Sequence, residues 1–262
     1  MKKINKRVLI SFDDLCPYQC KHCYTLDIKR KSDNRTISEI VDSIASKEFD
    51  VVYVSQRRDN FVIPDEGLEL CEEIFKRYKC NIFIITRNIF NKPCIERLLK
   101  LKNKMQENDK EIIVAVSVLA THSYTKSENP HIVPSPYERL EFLKELSNNG
   151  IKTVVIIRPV FPRHIIPIDE LYEIVDICKT FDTCVVSSGL AVNDNIIWRL
   201  GLTSEDMCYL ENTNYLEGAM EGELRFLNVE KELDDLKLYC DKQKVPFFEH
   251  TMQSINYVLC NP

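Results

Sequence analysis

The sequence predicts an α/β fold built on a parallel sheet, from three observations. Six short segments rich in β-branched residues recur through the first three quarters of the chain, stretches with helical periodicity fall between them, and the two kinds alternate. The strand segments are residues 8–12, 51–55, 82–86, 112–118, 153–158 and 184–187. They read as buried strands, because a strand covered on both faces is a nearly continuous apolar run.

The helical segments are residues 38–47, 66–78, 94–104, 136–148 and 169–179. Ser38 stands before Glu39 and a face of Ile40, Val41 and Ile44, which suits an N-cap. Ser135 places a capping hydroxyl just before Pro136 at a first helical position. Asn149 and Gly150 then read as a left-handed helix end, with Ile151 opening the next connection. Six parallel strands joined by right-handed crossovers form either an open doubly wound sheet or a partial barrel, and periodicity does not choose between them. After Gly201 the pattern changes to segments 203–210 and 211–222, a charged helical stretch 229–242 and an apolar piece 245–259. The expected division is a core at 1–200 and an acidic extension at 201–262, packed on the core.

Composition excludes several classes. With 44% hydrophobic and 29% charged residues, the 262-residue chain is neither disordered nor fibrous. Eleven cysteines are about 4% of the chain and odd in number, well short of a disulfide scaffold. No run approaches the roughly 20 apolar residues of a membrane span, and the opening MKKINKRVLISF is too short an apolar stretch for a signal peptide. A cytoplasmic protein with reduced thiols is the expectation. The net charge of −5 hides a division: residues 1–104 carry 21 Lys and Arg against 15 Asp and Glu, and the remainder carries 14 against 25. A basic first half can favour phosphates or carboxylates, or can simply reflect solvated helix faces.

The run LCPYQCKHCYT is the most informative segment. Cys16, Cys20 and Cys23 form a C-x3-C-x2-C triplet just after the first strand, on a turn opened by Pro17. Three thiolates within eight residues can reach one metal centre at little closure cost, and suit zinc or an iron–sulfur cluster. Structural zinc wants four ligands, and no second close pair follows; His22 could be a fourth, but Cys23 already uses that turn. Three thiolates on a four-iron cluster leave one iron open to chemistry. Cys71, Cys80, Cys94, Cys178, Cys184, Cys208, Cys240 and Cys260 are too dispersed for a second centre, and Cys184 reads as core.

The triplet CPYQCKHC, following the first strand of a βα series, resembles the cluster-binding motif of the radical S-adenosylmethionine (radical SAM) superfamily. The resemblance covers roughly residues 6–200. It implies a partial (β/α)6 barrel of parallel strands with a C-terminal, mainly helical extension. It also implies one oxygen-sensitive 4Fe-4S cluster held by Cys16, Cys20 and Cys23, with S-adenosylmethionine chelating the fourth iron. Reductive cleavage then yields a 5′-deoxyadenosyl radical that takes hydrogen from a substrate, in a lyase or oxidoreductase type of reaction. An electron donor such as flavodoxin or ferredoxin is implied as partner.

The same resemblance carries cofactor contacts onto matching positions. His22 holds the ring-bearing position that packs near the adenine. Ser55 and Gln56, in VSQRRDNF, stand where a Gly-Gly-Glu turn meets the cofactor amine, although no glycine is present. Ser117 matches a polar residue for the ribose or carboxylate, and Gly189 and Leu190 match backbone contacts to the adenine. Arg158 ends an apolar strand and calls for an anion: the cofactor carboxylate, a substrate phosphate, or Asp169 or Glu170 of the next helix.

The order of strand, Pro-Ser-Pro, Arg-Leu helix, Gly-Ile and Pro-x-x-Pro from residue 114 to 162 loosely resembles the spore photoproduct lyase-like branch. That implies a nucleotide or nucleic-acid lesion as substrate, although a charge of −5 argues against tight nonspecific duplex binding. Modification of a peptide or a small metabolite is the alternative within the class. In another class stands a non-catalytic metal-binding protein that uses the triplet structurally. Arg57 and Arg58 could meet a phosphate or form a solvated pair; His122 and His164 follow strand ends and read as satisfied loop residues; Tyr24 or a free cysteine could serve as a second hydrogen-atom donor.

Overall fold

The computed structural model describes residues 4–12, 15–27, 34–55, 58–208 and 225–260. The six strands form as read, with ends shifted by a residue or two: β1 Arg7–Ile10, β2 Val51–Val54, β3 Asn81–Thr86, β4 Ile112–Ser117, β5 Lys152–Ile157 and β6 Cys184–Ser187. All pair in parallel with their sequence neighbours. A seventh parallel strand, Phe247–Phe248, comes from the extension and pairs with β6. The order β1 to β6 followed by this strand leaves both edges open, so the sheet is a partial barrel.

The helices on its outer side are α1 Ile37–Asp42, α2 Pro64–Tyr78, α3 Lys92–Gln106, α4 Pro136–Asn148 and α5 Ile168–Cys178. The cap of α1 differs from expectation: Thr36, not Ser38, is the N-cap, and it forms a reciprocal capping box with Glu39. Thr36 wins because Glu39 then falls three residues on, where its carboxylate reaches back to the cap's own N–H. Ser135 caps α4 in the same way with Glu138, and Gly150 takes a left-handed φ of 74° after that helix.

Strand alternation divides the core into two layers. Val52, Val54, Ile82, Ile84, Val114, Val116, Val155 and Ile157 face the outer helices. Val51, Tyr53, Phe83, Ile113, Ala115, Val154, Ile156, Cys184 and Val186 face inward. The inner layer is closed by the last helix, Thr251–Cys260, through Ile255, Val258 and Leu259. Asn256 of this helix hydrogen-bonds both the N–H and the carbonyl of Ile4, which ties the two ends of the chain together.

The chain beyond β6 is only partly helical. After β6 come β7 Ala191–Val192, α6 Asp194–Leu200, β8 Met207–Cys208 and β9 Arg225–Leu227, the three strands forming an antiparallel sheet in the order β7-β9-β8. Helix α7, Glu230–Gln243, packs on α5, and the strand and helix that follow it are β10 and α8. The sequence reading missed the small sheet because its strands are two or three residues long, too short for an alternation signal. Segment 211–222 lies outside the described residues. Among the described residues no helix is long and apolar enough to cross a membrane.

Gly67 shows how closely α2 approaches the loop after β2. A β-carbon there would stand 2.4 Å from Cδ1 of the fully buried Phe61 and 2.8 Å from the carbonyl oxygen of Asn60. Gly67→Ala is expected to lower stability by about 1–2 kcal/mol through overpacking. A urea midpoint equal to or above wild type would instead mean that helix propensity alone governs the position.

Candidate metal centre

Because the seven strands are parallel, the residues after each strand gather on one rim of the barrel. The thiol loop follows β1 at this rim. Cys20 is 6% exposed and forms a small apolar patch with Tyr18 and Val133; Cys16, Cys23 and Val62 pack against it. The three cysteines thus share one small apolar patch, with Cys20 buried and Cys16 and Cys23 half-buried. Among the described residues no set of three His, Cys, Asp or Glu side chains would hold a single metal ion.

The local electrostatics follow from burial. Desolvation raises the Cys16 thiol and pushes Cys20 up to about 12, with the Arg87 guanidinium opposing the shift at Cys20. A metal taken up by these thiols would have to displace both protons. Cys23 Sγ shares a 2.9 Å hydrogen bond with Thr25 Oγ1.

A chain of buried charges backs the loop. Arg139 of α4 is fully buried and donates to Glu128 Oε2 at 2.6 Å, to Glu128 Oε1 at 3.3 Å and to the Ser117 carbonyl at 2.6 Å. Arg87, just after β3, donates to Glu128 Oε1 at 3.0 Å and lies 3.3 Å from His22 Nε2. Arginine only donates, so His22 Nε2 accepts and the ring proton sits on Nδ1. Burial first, then the Arg87 charge, drops the His22 pKa to about 3, so the ring is neutral. The Lys21 N–H donates to the Ser127 carbonyl at 2.8 Å, which pins the loop beside Glu128. On the Cys16 side, Asp59 is buried and accepts from Phe61 N, Thr86 Oγ1 and Arg87 N.

From α6, Arg199 reaches across to the same loop. It donates to the Lys21 carbonyl at 2.8 Å, to the Cys23 carbonyl at 3.1 Å and to Asp27 at 2.6 Å. The loop is thus clasped from both sides.

The structure locates the sequence-derived candidates as follows. His22 is 6% exposed, packs edge-on to Phe161 at 6.0 Å between ring centres, and its Nδ1 has no hydrogen-bond partner among the described residues. Ser55 has a φ of 99°, a setting that normally favours glycine, so the turn keeps left-handed geometry without one. Its hydroxyl accepts from Asn60 N at 3.0 Å. Gln56 and Arg57 lie outside the described residues. Ser117 lies two residues beyond Ala115, on the inner face, and its buried hydroxyl has no partner among the described residues. A β-carbon on Gly189 would stand 3.3 Å from Val229 Cγ2, and the Leu190 carbonyl accepts from Leu227 N. That bond ties Leu190 to β9 of the small sheet.

Arg158 is exposed at the end of β5. Glu170, suggested as its partner, is committed elsewhere: it accepts from His122 N, Ser123 N and Ser123 Oγ. Arg58 donates its N–H to Ser11 Oγ and lays its guanidinium 5.6 Å from the Phe12 ring centre. His122 and His164 are surface residues beside Glu173 and Asp206. Cys71, Cys80, Cys94, Cys178, Cys184 and Cys240 are buried among core side chains, while Cys208 is half-buried and Cys260 exposed.

Arg87, Glu128, Arg139 and Arg199 escaped the sequence reading. Arg87 follows an apolar strand, the same signal that singled out Arg158. Arg139 interrupts the buried stripe Pro136, Leu140, Leu143, Leu146, where a charge calls for a partner. Glu128 and Arg199 leave no local signal.

No protein-family profile and no curated protein matches the chain. A solved structure does: the crystal structure of a radical SAM methyltransferase from Sphaerobacter thermophilus, with a TM-score of 0.63 and 12% sequence identity. The match covers 93% of this chain and 65% of that one, so this chain spans less than two thirds of that protein's length. The likeness shows a shared fold: an α/β partial barrel with a helical C-terminal part, the architecture of that radical SAM enzyme.

Proposed function

We propose that the protein is a radical SAM enzyme, with Cys16, Cys20 and Cys23 holding one 4Fe-4S cluster that binds S-adenosylmethionine. The observation that carries this reading is the packing of the three cysteines around one small apolar patch at the rim of a parallel partial barrel. The shared fold supports it. When bound there, such a cluster supplies the electron that cleaves the cofactor's sulfonium C–S bond, giving methionine and a 5′-deoxyadenosyl radical for hydrogen abstraction.

This chain's residues position and shield that chemistry. Tyr18, Val62 and Val133 supply the apolar side chains that pack with the three cysteines. The unpartnered Ser117 hydroxyl and His22 Nδ1–H, both buried, fit a polar cofactor at the rim. Ser55 presents its turn to the cofactor amine, with Gln56 beside it in sequence, and Gly189 to the adenine. Arg158, exposed at the end of β5, suits an anionic group of cofactor or substrate. A nucleotide or nucleic-acid lesion is our preferred substrate class, given that charge and the likeness of residues 114–162 to the spore photoproduct lyase-like branch. A peptide or small metabolite would compete for the same role. A small redox protein such as flavodoxin or ferredoxin would deliver the electron.

Anaerobic reconstitution with iron and sulfide tests the reading. The expected result is about four irons per chain and 5′-deoxyadenosine released from S-adenosylmethionine under a reductant. Zinc binding alone, without cofactor cleavage, would overturn it in favour of a structural metal site.

A further inference from the structure

We infer that the Arg87–Glu128–Arg139 chain tunes the reduction potential of the metal centre, Arg87 supplying a fixed positive charge against His22 of the thiol loop. The inference rests on the reading of the triplet as a cluster site. The two outer nitrogens of Arg139 are taken by Glu128 and the Ser117 carbonyl, while its buried Nε has no partner among the described residues. Glu128 in turn holds Arg87 by Nε, and an outer nitrogen of Arg87 lies 3.3 Å from Nε2 of His22, which stands between Cys20 and Cys23 in sequence. The Lys21–Ser127 backbone bond fixes the distance between this charge and the loop.

Burial makes the charge effective. The Glu128 and Arg139 side chains are fully buried and that of Arg87 is 20% exposed, so solvent screens the field weakly. A cluster gains one negative charge on reduction, and a cation held beside it favours the reduced state. Net charge, hydrogen bonding and exposure are the protein's means of setting such potentials. Stability alone gives no reason for the chain, since well-packed apolar residues serve as well as a buried ionic triad. Asp59 offsets part of the field from the Cys16 side, with its carboxylate already taken by three donors.

Potentiometric titration of the reconstituted full-length protein, followed by electron paramagnetic resonance of the reduced cluster, tests this. Arg87→Gln is expected to weaken reduction about tenfold, a shift of ~59 mV to lower potential for one electron. Arg87→Lys should restore most of the wild-type value, and Glu128→Gln should shift the potential upward. Opposite signs for the two neutralising changes are the signature that a purely structural role would not produce. Unchanged potentials, or shifts of the same sign, in iron-loaded proteins overturn the inference and leave the cluster reading intact. Should Arg87→Gln fail to load iron, Glu128→Gln decides alone, an unchanged or lower potential counting against the inference. A wild-type chain that takes up no cluster overturns the functional reading itself, and the inference with it.

Discussion

Cys20→Ala is expected to abolish the cluster absorbance and the release of 5′-deoxyadenosine together. Cys20 is the most enclosed of the three thiols, so its loss would remove one proposed iron ligand and open the apolar patch. The fall in cofactor cleavage should exceed the ~10–100-fold cost of altering outer-shell partners. Cys16→Ala and Cys23→Ala should behave alike, because three irons need three thiolates. Cys208→Ala and Cys240→Ala should keep the absorbance: Cys240 is buried in α7 among core side chains, and Cys208 lies in the small sheet. Iron lost from either of those two would reveal a second metal site and defeat the single-cluster assignment.

The second large effect concerns stability. Glu128→Leu leaves Arg87 and Arg139 facing each other in the interior without their shared carboxylate. Breaking a buried charge network from one side typically costs about 3–5 kcal/mol, and a urea midpoint measures it. A loss below about 1 kcal/mol would mean that water reaches the two guanidinium groups. The pH dependence has a defined sign. Burial alone would raise the Glu128 carboxyl, but Arg139 and Arg87 outweigh it and hold the group below the usual carboxylate range. Its contribution is therefore complete above the unfolded value of ~4.3 and is lost as pH falls through the lower folded value. Acid unfolding should flatten in Glu128→Gln relative to wild type across that window.

Much of the architecture could be read without coordinates. The β-branched runs placed six strands, and the Ser135–Pro136 and Asn149–Gly150 signals bounded α4 at both ends. Each of these signals is local, written within one turn or one strand. The cap of α1 was misplaced by two residues because Ser38 and Thr36 are both good caps, and only the reach of Glu39 separates them. The seventh strand was missed because Phe247–Phe248 is too short to show a period. It is a strand only because the edge of β6 offers it hydrogen bonds.

The site divides along the same line. The thiol triplet was plain in the sequence, since three ligands on one loop need no tertiary structure to be near one another. Arg199 and Lys21 are 178 residues apart, and Arg87 and His22 are 65 apart. No spacing rule links such pairs. Arg158 was singled out as a strand-end charge and proved exposed, whereas Arg87, in the equivalent place on β3, is drawn inward by Glu128. By itself, then, the sequence determined the order of strands and helices, the parallel sheet and the three-thiol loop, because each depends on contacts between near neighbours or on periodicity. The tertiary structure alone decided which charges back that loop and which hydroxyls on the rim stand without partners. Those depend on where distant segments meet once both faces of the sheet are covered.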